Sequence, residues 1–526
     1  MRRILLAFLL AGAVVPNIAA AKTVRVEEAS IDQLQAMMAR GEASSVELTR
    51  AYLARIAAMD RKGPALRSVI AVNPDALDQA KALDAERKAG RIRGPLHGIP
   101  VLIKDNIETA DRMATTAGSL ALKDNVTGRD APVVAELRRA GAVILGKTNL
   151  SEWANIRSTH AMSGWSAVGG LVKNPYALDR TACGSSSGSG AAVAASFAAV
   201  AVGTETDGSV TCPSSINGLV GLKPSIGLVS RTRVVPISHS QDTPGPMGRS
   251  VRDVALLLSA MVAPDPADPA TAGAVRRDYA SGLSVSALSG LRIGVIRPKD
   301  LPADTAARYD AALAVLRAGG AVLVDVTPPK LDGLGDAEFL VLQMELKADL
   351  NAYLATTPAA VTARTLDQLI AFNRDHAAVE MPFFGQEIFE MAAKTGGLDD
   401  AAYKAARAKS LRLAGQEGID AMLKAAGATV LVEPTYAGAW LSDPVYGDQY
   451  NGPSAAELPA IAGYPHLTVP MGLAKGLPVG LSFIAGKGGE ATVLGAGYAY
   501  EQRAKARVVP TYRAQADVGP GLEGVR

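Results

Sequence analysis

Three segments of the chain carry residues that together could hydrolyse an amide bond. Lys104 directly follows an apolar run at residues 101–103, and a serine and glycine cluster occupies residues 183–190. Ser209 comes directly after a glycine-containing turn at residues 206–208. A lysine at the end of a buried strand is hard to solvate, and burial favours the neutral amine, which can accept a proton. A base, a serine cluster and a serine behind a turn are the parts of a hydrolase that needs no histidine.

Ser209 is the candidate nucleophile of this set. Gly208 lets the backbone approach a substrate carbonyl, and consecutive N–H groups of such a turn can converge on an oxyanion. Because a serine hydroxyl is a weak nucleophile, a base must reach it. No histidine is an obvious partner, so a neutral Lys104 is the remaining strong base, and a second serine could pass the proton between them. Lys104 would have to lose its proton from an ordinary pKa of about 10.4, which takes desolvation or nearby positive charge.

The serine and glycine cluster also has other interpretations. Residues 184–188 match G-x-S-x-G, the nucleophile elbow of α/β-hydrolases, with Ser186 as the nucleophile. That elbow must follow a strand, whereas the preceding residues 174–180 are loop-like. The cluster also lacks the Lys-Ser or Lys-Thr pair that ends a phosphate-binding P-loop. An isolated stretch of this kind is more often a flexible loop or tight backbone packing, so the interpretation depends on the combination of segments.

Short apolar strands alternate with helices along the chain, which predicts an α/β fold with a mostly parallel or mixed sheet. Strands are predicted at residues 101–103, 142–145, 291–296, 321–326, 429–432, 466–469 and 479–483. Helices are predicted at residues 74–88, 131–140, 191–202 and 491–505 and through most of residues 335–425. Two capping boxes, Ser30 with Gln33 and Ser44 with Glu47, are expected to open the first two helices.

The composition excludes several classes of protein. Of the 526 residues, 48% are hydrophobic and 20% charged, as in a globular protein with a sizeable core. The formal net charge is only +3 and no basic patch stands out, so no nucleic acid partner is expected. The five histidines are scattered without metal-ligand spacing, so neither a metal nor a cofactor is predicted. The oligomeric state is left open.

Residues 1–21 are typical of a secretory signal peptide. Two arginines precede an apolar run at residues 4–15 and a small-residue exit that ends in three alanines. The apolar run is shorter than the roughly 20 residues that span a bilayer. The sequence therefore predicts export, to a periplasm or out of the cell, after cleavage near Ala20 or Ala21. No stable membrane association is expected once the peptide is removed.

Cys183 and Cys212 are the only cysteines of the sequence. Export would permit a disulfide between them, whereas two small buried thiols beside the serine segments are equally compatible with the pattern. Their separation along the chain does not reveal their distance in space, so the sequence leaves their redox state open.

The segments together resemble the amidase signature family, hydrolases with a Ser–cisSer–Lys triad. The matching motifs follow the family's order over most of the chain and lie at residues 98–105, 146–149, 184–188, 203–209, 221–224, 242–246 and 462–465. The resemblance implies Lys104 as the base, Ser185 as the bridging serine in a cis peptide, and Ser209 as the nucleophile that forms the acyl-enzyme. It assigns the oxyanion hole to four backbone N–H groups, those of Thr206, Asp207, Gly208 and Ser209.

The fold implied by this resemblance is one amidase-signature domain over residues 22–526. It should contain a large mixed, mostly parallel central sheet covered by helices on both faces. The signature core is expected at about residues 96–260, a helical substrate-side region at about 335–425 and a short C-terminal tail at about 508–526.

Asp207 departs from the two glycines that most family members carry before the nucleophile. With residues 149–155 and 164–166, this variant is similar to the exported bacterial peptide amidases, which convert C-terminal peptide amides to free acids and ammonia. Asp207 would lie at the mouth of the site, either in contact with substrate or as a solvated turn residue. Alternatives are an amidase of small aliphatic or aryl amides or of acylated amines, and, less favoured, the A-type subunit of a tRNA-dependent amidotransferase.

Overall fold

The computed structural model of the protein describes residues 24–516. The predicted signal peptide and the last ten residues of the predicted tail lie outside the described residues. Among residues 24–516, no helix combines the length and the apolar character that crossing a bilayer requires.

One sheet of eleven strands runs through the described part of the chain. The strands are β1 (Val69–Val72), β2 (Pro100–Lys104), β3 (Val143–Thr148), β4 (Val200–Glu205), β5 (Val220–Lys223), β6 (Thr243–Gly248), β7 (Arg292–Ile296), β8 (Val322–Val326), β9 (Val430–Pro434), β10 (His466–Ala474) and β11 (Leu477–Ile484). Their order across the sheet is β1-β3-β2-β4-β6-β5-β10-β11-β9-β7-β8.

The prediction of a mixed sheet is confirmed, but the expectation that it is mostly parallel is wrong. Within residues 24–516 only β2 with β3, β2 with β4, β7 with β8 and β7 with β9 pair in parallel, and the other six pairings are antiparallel. An apolar strand pattern carries no information on direction, whereas a two-residue loop joins only antiparallel neighbours. Lys475 and Gly476 form such a loop between β10 and β11, both with positive φ.

Sixteen α-helices surround this sheet in the described residues. They are α1 (Ile31–Ala39), α2 (Ser45–Met59), α3 (Ala76–Lys88), α4 (Pro132–Arg139), α5 (Ser187–Ala194), α6 (Thr211–Ile216), α7 (Val251–Met261), α8 (Ala303–Ala318), α9 (Leu334–Leu354), α10 (Leu366–Asp375), α11 (Ala377–Glu380), α12 (Glu387–Ala393), α13 (Ala401–Leu411), α14 (Ala421–Ala426), α15 (Glu457–Ala462) and α16 (Glu490–Ala504). A π-helical stretch, Arg412–Asp420, joins α13 to α14.

The helices pack on the sheet in two groups. Helices α5 and α6 contact each other and strands that include β4, β5 and β10. Helices α7, α8 and α16 also contact strands of the same central region, and α16 contacts both α7 and α8. Both predicted capping boxes are confirmed at α1 and α2, and the helical region at 335–425 is confirmed by α9 to α14.

The helix predicted over residues 191–202 is wrong beyond Ala194. Ser196 adopts a left-handed conformation (φ 57°), and β4 begins at Val200. The alanine-rich run has a high helix propensity throughout, but pairing of residues 200–202 with β2 decides the structure of its second half. This prediction hid β4, and β1, β5 and β6 were not predicted either. The sequence of β6, Thr-Pro-Gly-Pro-Met-Gly, is unusual for a strand, and β4 and β5 pair with it on either side.

The sheet brings the predicted site residues to one edge. Strands β2 and β4 are parallel neighbours, so their carboxyl ends lie side by side. Lys104 ends β2, and the turn that carries Ser209 follows β4. Ser185 and Ser209 lie just before α5 and α6, which contact each other over this region.

Candidate active site

Lys104 is fully buried and bonded to a serine. Its Nζ lies 2.7 Å from Ser185 Oγ, 2.8 Å from Thr204 Oγ1 and 3.3 Å from the Thr204 carbonyl oxygen. Burial lowers the pKa of Lys104 to about 7, and the carboxylates of Asp242 and Glu205 oppose this shift only in part. A substantial fraction of the amine is therefore neutral near pH 7 and able to accept a proton from the serine.

The peptide bond between Gly184 and Ser185 is cis, as the family resemblance implied. The next residue, Ser186, is also fully buried. Its Oγ donates a hydrogen bond to the Thr204 carbonyl oxygen (3.0 Å) and accepts one from the Thr204 N–H (3.1 Å). Ser186 thus ties the start of α5 to β4. This confirms the argument against Ser186 as an exposed elbow nucleophile.

Ser209 lies at the surface of a cavity of about 390 Å³, which Gly184 and Asp207 also line. The Ser186 N–H donates to the Ser209 carbonyl oxygen at 3.2 Å, so the two serine segments are in direct contact. Gly208 has φ +76°, and a Cβ there would lie 2.4 Å from the Tyr436 hydroxyl. The turn before Ser209 therefore requires glycine at this position.

The four backbone N–H groups predicted for the oxyanion hole, at residues 206–209, donate no hydrogen bond to any group within residues 24–516. The turn itself is held firmly at both sides. Glu205 accepts from the N–H groups of Val210 (2.8 Å) and Thr211 (2.9 Å) at the start of α6. Thr206 Oγ1 donates to Asp242 at 2.6 Å. Unused, immobilised donors beside a serine can stabilise negative charge that develops on a carbonyl oxygen.

Asp207 opens into the cavity and forms no hydrogen bond within the described chain. Enclosure of the carboxyl group within the cavity and the nearby carboxyl groups of Glu338, Glu205 and Glu457 raise the pKa of Asp207 well above its usual range. The opposite wall is aromatic: Tyr450 lies edge-on to Tyr436 and Trp440, at centroid distances of 5.6 and 5.5 Å. The cavity therefore combines acidic and aromatic surfaces around the serine.

Thr204 and Asp242 are site residues that the sequence reasoning missed. Thr204 Oγ1 accepts from both Lys104 and Asn106 (3.0 Å from Nδ2), and its backbone bonds Ser186. Asp242 accepts from Thr206 and from the N–H groups of Ile237 (2.8 Å) and Ser238 (3.0 Å). Thr204 lies in the matching motif at residues 203–209 and Asp242 in the one at residues 242–246. Their place in these motifs was the only sequence signal that could have identified them.

One group of side chains within residues 24–516 has the spacing of a metal site: His239, Glu345 and Asp349. The carboxyl oxygens of this group already accept hydrogen bonds from neighbouring side chains. Glu345 accepts from the hydroxyls of Ser240 and Tyr403, each at 2.6 Å, and Asp349 accepts from His239 Nδ1 at 2.9 Å. This hydrogen-bonded cluster needs no ion to hold it together.

Cys183 and Cys212 form a disulfide, which resolves the question that the sequence left open. The bond joins the residue two before Ser185 to the residue three after Ser209, with 6.0 Å between the Cα atoms. It therefore fastens the two serine segments to each other.

The chain belongs to the amidase family, whose model matches residues 47–494. It is an amidase, a hydrolase that acts on the C–N bonds of amides. The structure of the peptide amidase from Stenotrophomonas maltophilia is similar, with 50% identity and a TM-score of 0.88 over 92% of this chain and 99% of that one.

Two relatives are similar to this chain over most of its length. A probable amidase of Arabidopsis thaliana is 38% identical over 505 residues, which cover 94% of this chain and 93% of the relative. A glutamyl-tRNA(Gln) amidotransferase subunit of Halorhodospira halophila is 36% identical over 490 residues, which cover 91% of this chain and 97% of the relative.

Removal of the disulfide should destabilise the fold. The cysteines are 29 residues apart, and a crosslink of this span contributes about 3.6 kcal/mol by restricting the unfolded chain. The double variant Cys183→Ala/Cys212→Ala should lose about this much free energy of unfolding, measured by denaturant titration. Reductant should lower the wild-type midpoint but not that of the variant; equal midpoints for oxidised wild type and variant would contradict the expectation.

Proposed function

We propose that the protein hydrolyses the C-terminal amide of peptides to the free acid and ammonia, with Ser209 as nucleophile. The observation that carries this proposal is the contact between the buried Lys104 amine and Ser185, beside Ser209 at the wall of a cavity. The likeness to a solved peptide amidase at 50% identity supports the substrate class.

The mechanism is acyl transfer with a serine relay. Ser209 Oγ attacks the carboxamide carbon while its proton passes to Ser185, whose own proton passes to neutral Lys104. The developing oxyanion accepts hydrogen bonds from the free N–H groups at residues 206–209, each worth about 3–4 kcal/mol when well placed. The Lys104 ammonium returns the proton through Ser185 to the departing ammonia. Water then attacks the ester by the same route and releases the acid.

Room for a peptide lies beyond the nucleophile. The catalytic cavity shares Ser454 and Glu457 with a second cavity of about 620 Å³. Carboxyl groups line this second cavity, from Asp332, Asp336, Glu433 and Glu457, and no lysine, arginine or histidine lines either cavity within residues 24–516. Residues that precede the amide would extend toward this acidic surface. A small amide would leave it unused.

The export proposed from residues 1–21 has a supporting observation. Disulfides persist in oxidising compartments and are rare in the cytosol, and Cys183–Cys212 is such a bond. N-terminal sequencing of the protein recovered from a periplasmic or culture fraction tests this proposal. A start at residue 1 in the cytosolic fraction would overturn it.

The substrate class can be tested by ammonia release from amidated dipeptides, with propionamide and an anilide for comparison. The amidated dipeptides should have the highest kcat/KM. Among them, a lysine before the amide should give a lower KM than a glutamate, because the cavities hold only acidic charge. A difference of about 1 kcal/mol corresponds to about fivefold in KM.

This comparison should be made above pH 8. Burial raises the pKa of Glu433 to about 8, and the cavity attracts a lysine side chain only when its carboxyl groups are ionised. The difference in KM between the lysine and glutamate substrates should become smaller in high salt and in the variant Glu457→Gln. Faster hydrolysis of propionamide than of every amidated dipeptide would favour the small-amide alternative.

Substitution of the relay should remove activity in a graded way. Ser209→Ala and Lys104→Ala should lower kcat by about 10⁴-fold or more, and Ser185→Ala by about 10²–10⁴-fold. Ser186→Ala is the matched control, because it removes the neighbouring hydroxyl, whose bonds are structural. It should lower thermal stability and keep kcat within about tenfold. Loss of activity in Ser186→Ala equal to that in Ser209→Ala would restore the elbow assignment.

The pH profile should report the lysine. The base must be neutral to act, and the pKa of Lys104 is lowered to about 7. We therefore expect kcat/KM to fall as pH drops through 7, about tenfold for each pH unit below it. His239→Gln should leave the midpoint of the pH profile in place, since the ring nitrogens of this histidine contact Asp349, Tyr403 and Glu345, which lie outside the relay. A rate independent of pH between about pH 5 and 9 would rule out Lys104 as the base.

A further inference from the structure

One wall of the catalytic cavity is an unusual backbone turn. Trp153, Ala154 and Asn155 have φ angles of 51°, 53° and 76°, in the left-handed region that residues other than glycine adopt uncommonly. Ala154, Asn155 and Ile156 line the cavity that contains Ser209. Three successive residues in this conformation cost free energy, so the surrounding structure must hold the turn in place.

A buried ion pair brackets this turn. Glu152 directly precedes it, and Arg157 follows it by two residues. Arg157 is only 1% exposed, and its Nη1 lies 2.6 Å from Glu152 Oε1. The same nitrogen donates to the carbonyl oxygen of Glu380, at the end of α11, at 2.5 Å. One guanidinium nitrogen thus joins both ends of the turn to the helical region.

Aromatic rings enclose the rest of the guanidinium. Its carbon lies 4.5 Å from the centroid of the Phe384 ring and 5.8 Å from that of Trp165. The Glu152 N–H donates to the Trp165 carbonyl oxygen at 2.9 Å, so this ring belongs to the same packing unit. The Phe384 segment interrupts the helices between α11 and α12. A flat, weakly hydrated guanidinium suits this site better than the ammonium of a lysine.

The two carboxyl groups of the cluster depend on this one cation. Glu152 and Glu380 are both buried, and Glu380 Oε1 also accepts from the Leu120 N–H at 2.7 Å. Burial raises the pKa of Glu152 strongly, and the charge of Arg157 opposes that shift. Without the arginine, two buried carboxyl groups would face each other unpaired, which is strongly destabilising.

We propose that Arg157 is a positioning residue: the Glu152–Arg157–Glu380 cluster holds the left-handed turn at residues 153–155 and so fixes the peptide part of the substrate relative to Ser209. Within residues 24–516, Arg157 contacts neither Lys104 nor either serine of the relay. It acts on where the substrate lies rather than on the chemistry. This inference rests on the proposed function, because it assigns the wall to a peptide substrate.

The test compares Arg157→Met with Arg138→Met on an amidated dipeptide and on propionamide. Arg138, on α4, is a matched control: it pairs with the buried Asp111 at 2.5 Å and lines no part of the catalytic cavity. We expect Arg157→Met to lower kcat/KM for the dipeptide amide about tenfold or more, mainly through KM. Propionamide lacks the peptide part that the wall is proposed to position, so its kcat/KM should change less than about threefold, and the acid limb of the pH profile should keep its midpoint. Arg138→Met should lose thermal stability without this split between substrates.

Two further variants keep the test decisive if Arg157→Met does not fold. Arg157→Lys keeps the charge and should fall between wild type and Arg157→Met. Glu380→Gln keeps the backbone contact to Arg157 and should shift KM in the same direction by a smaller factor. Equal losses on both substrates, or behaviour like that of Arg138→Met, would overturn the positioning role. If the wild-type enzyme does not act on amidated dipeptides, the proposed function fails first, and the inference fails with it.

Discussion

The site depends on keeping one lysine amine out of water. Lys104 is fully buried at the end of β2, the strand that lies between β3 and β4 in the sheet. The pKa of this amine is lowered to about 7, so the folded protein binds fewer protons here than the unfolded chain does between about pH 7 and 10.5. The free energy of unfolding therefore rises with pH across that interval, and below it burial of the lysine costs about 5 kcal/mol. The rest of the fold must supply that stability.

Hydrogen bonds and a disulfide hold the segments around the amine together. Thr204, on β4, accepts from Lys104 through its hydroxyl and exchanges hydrogen bonds with Ser186 at the start of α5. Glu205, the next residue, holds the first N–H groups of α6. The disulfide fastens the two serine segments from the other side. Because these restraints are independent of substrate, the donors at residues 206–209 are in place before a carbonyl arrives.

The sequence predicted the parts of the site that are encoded locally and not those made by distant contacts. Lys104, Ser185 and Ser209 stand in short motifs, and the capping boxes of α1 and α2 are complete within four residues. Strand direction is not local, so the antiparallel majority of the sheet could not be read from apolar runs. Arg157 and Glu380 are 223 residues apart in the sequence, and no local pattern in either segment predicts their contact. The redox state of Cys183 and Cys212 could not be predicted for the same reason, since only the fold brings the two cysteines together.

Asp207 presents a conflict that the surrounding charges resolve. A carboxylate beside the turn that is proposed to receive the oxyanion would oppose the negative charge of the transition state. Enclosure of the carboxyl group within the cavity and the nearby carboxyl groups of Glu338, Glu205 and Glu457 raise the pKa of Asp207 well above its usual range, so its ionisation is less favourable than that of a free aspartate. A neutral carboxylic acid can donate a hydrogen bond to the substrate and leaves the oxyanion undisturbed. The carboxyl groups of the outer cavity thus affect the inner one, because each additional carboxylate near the mouth makes ionisation of Asp207 less favourable.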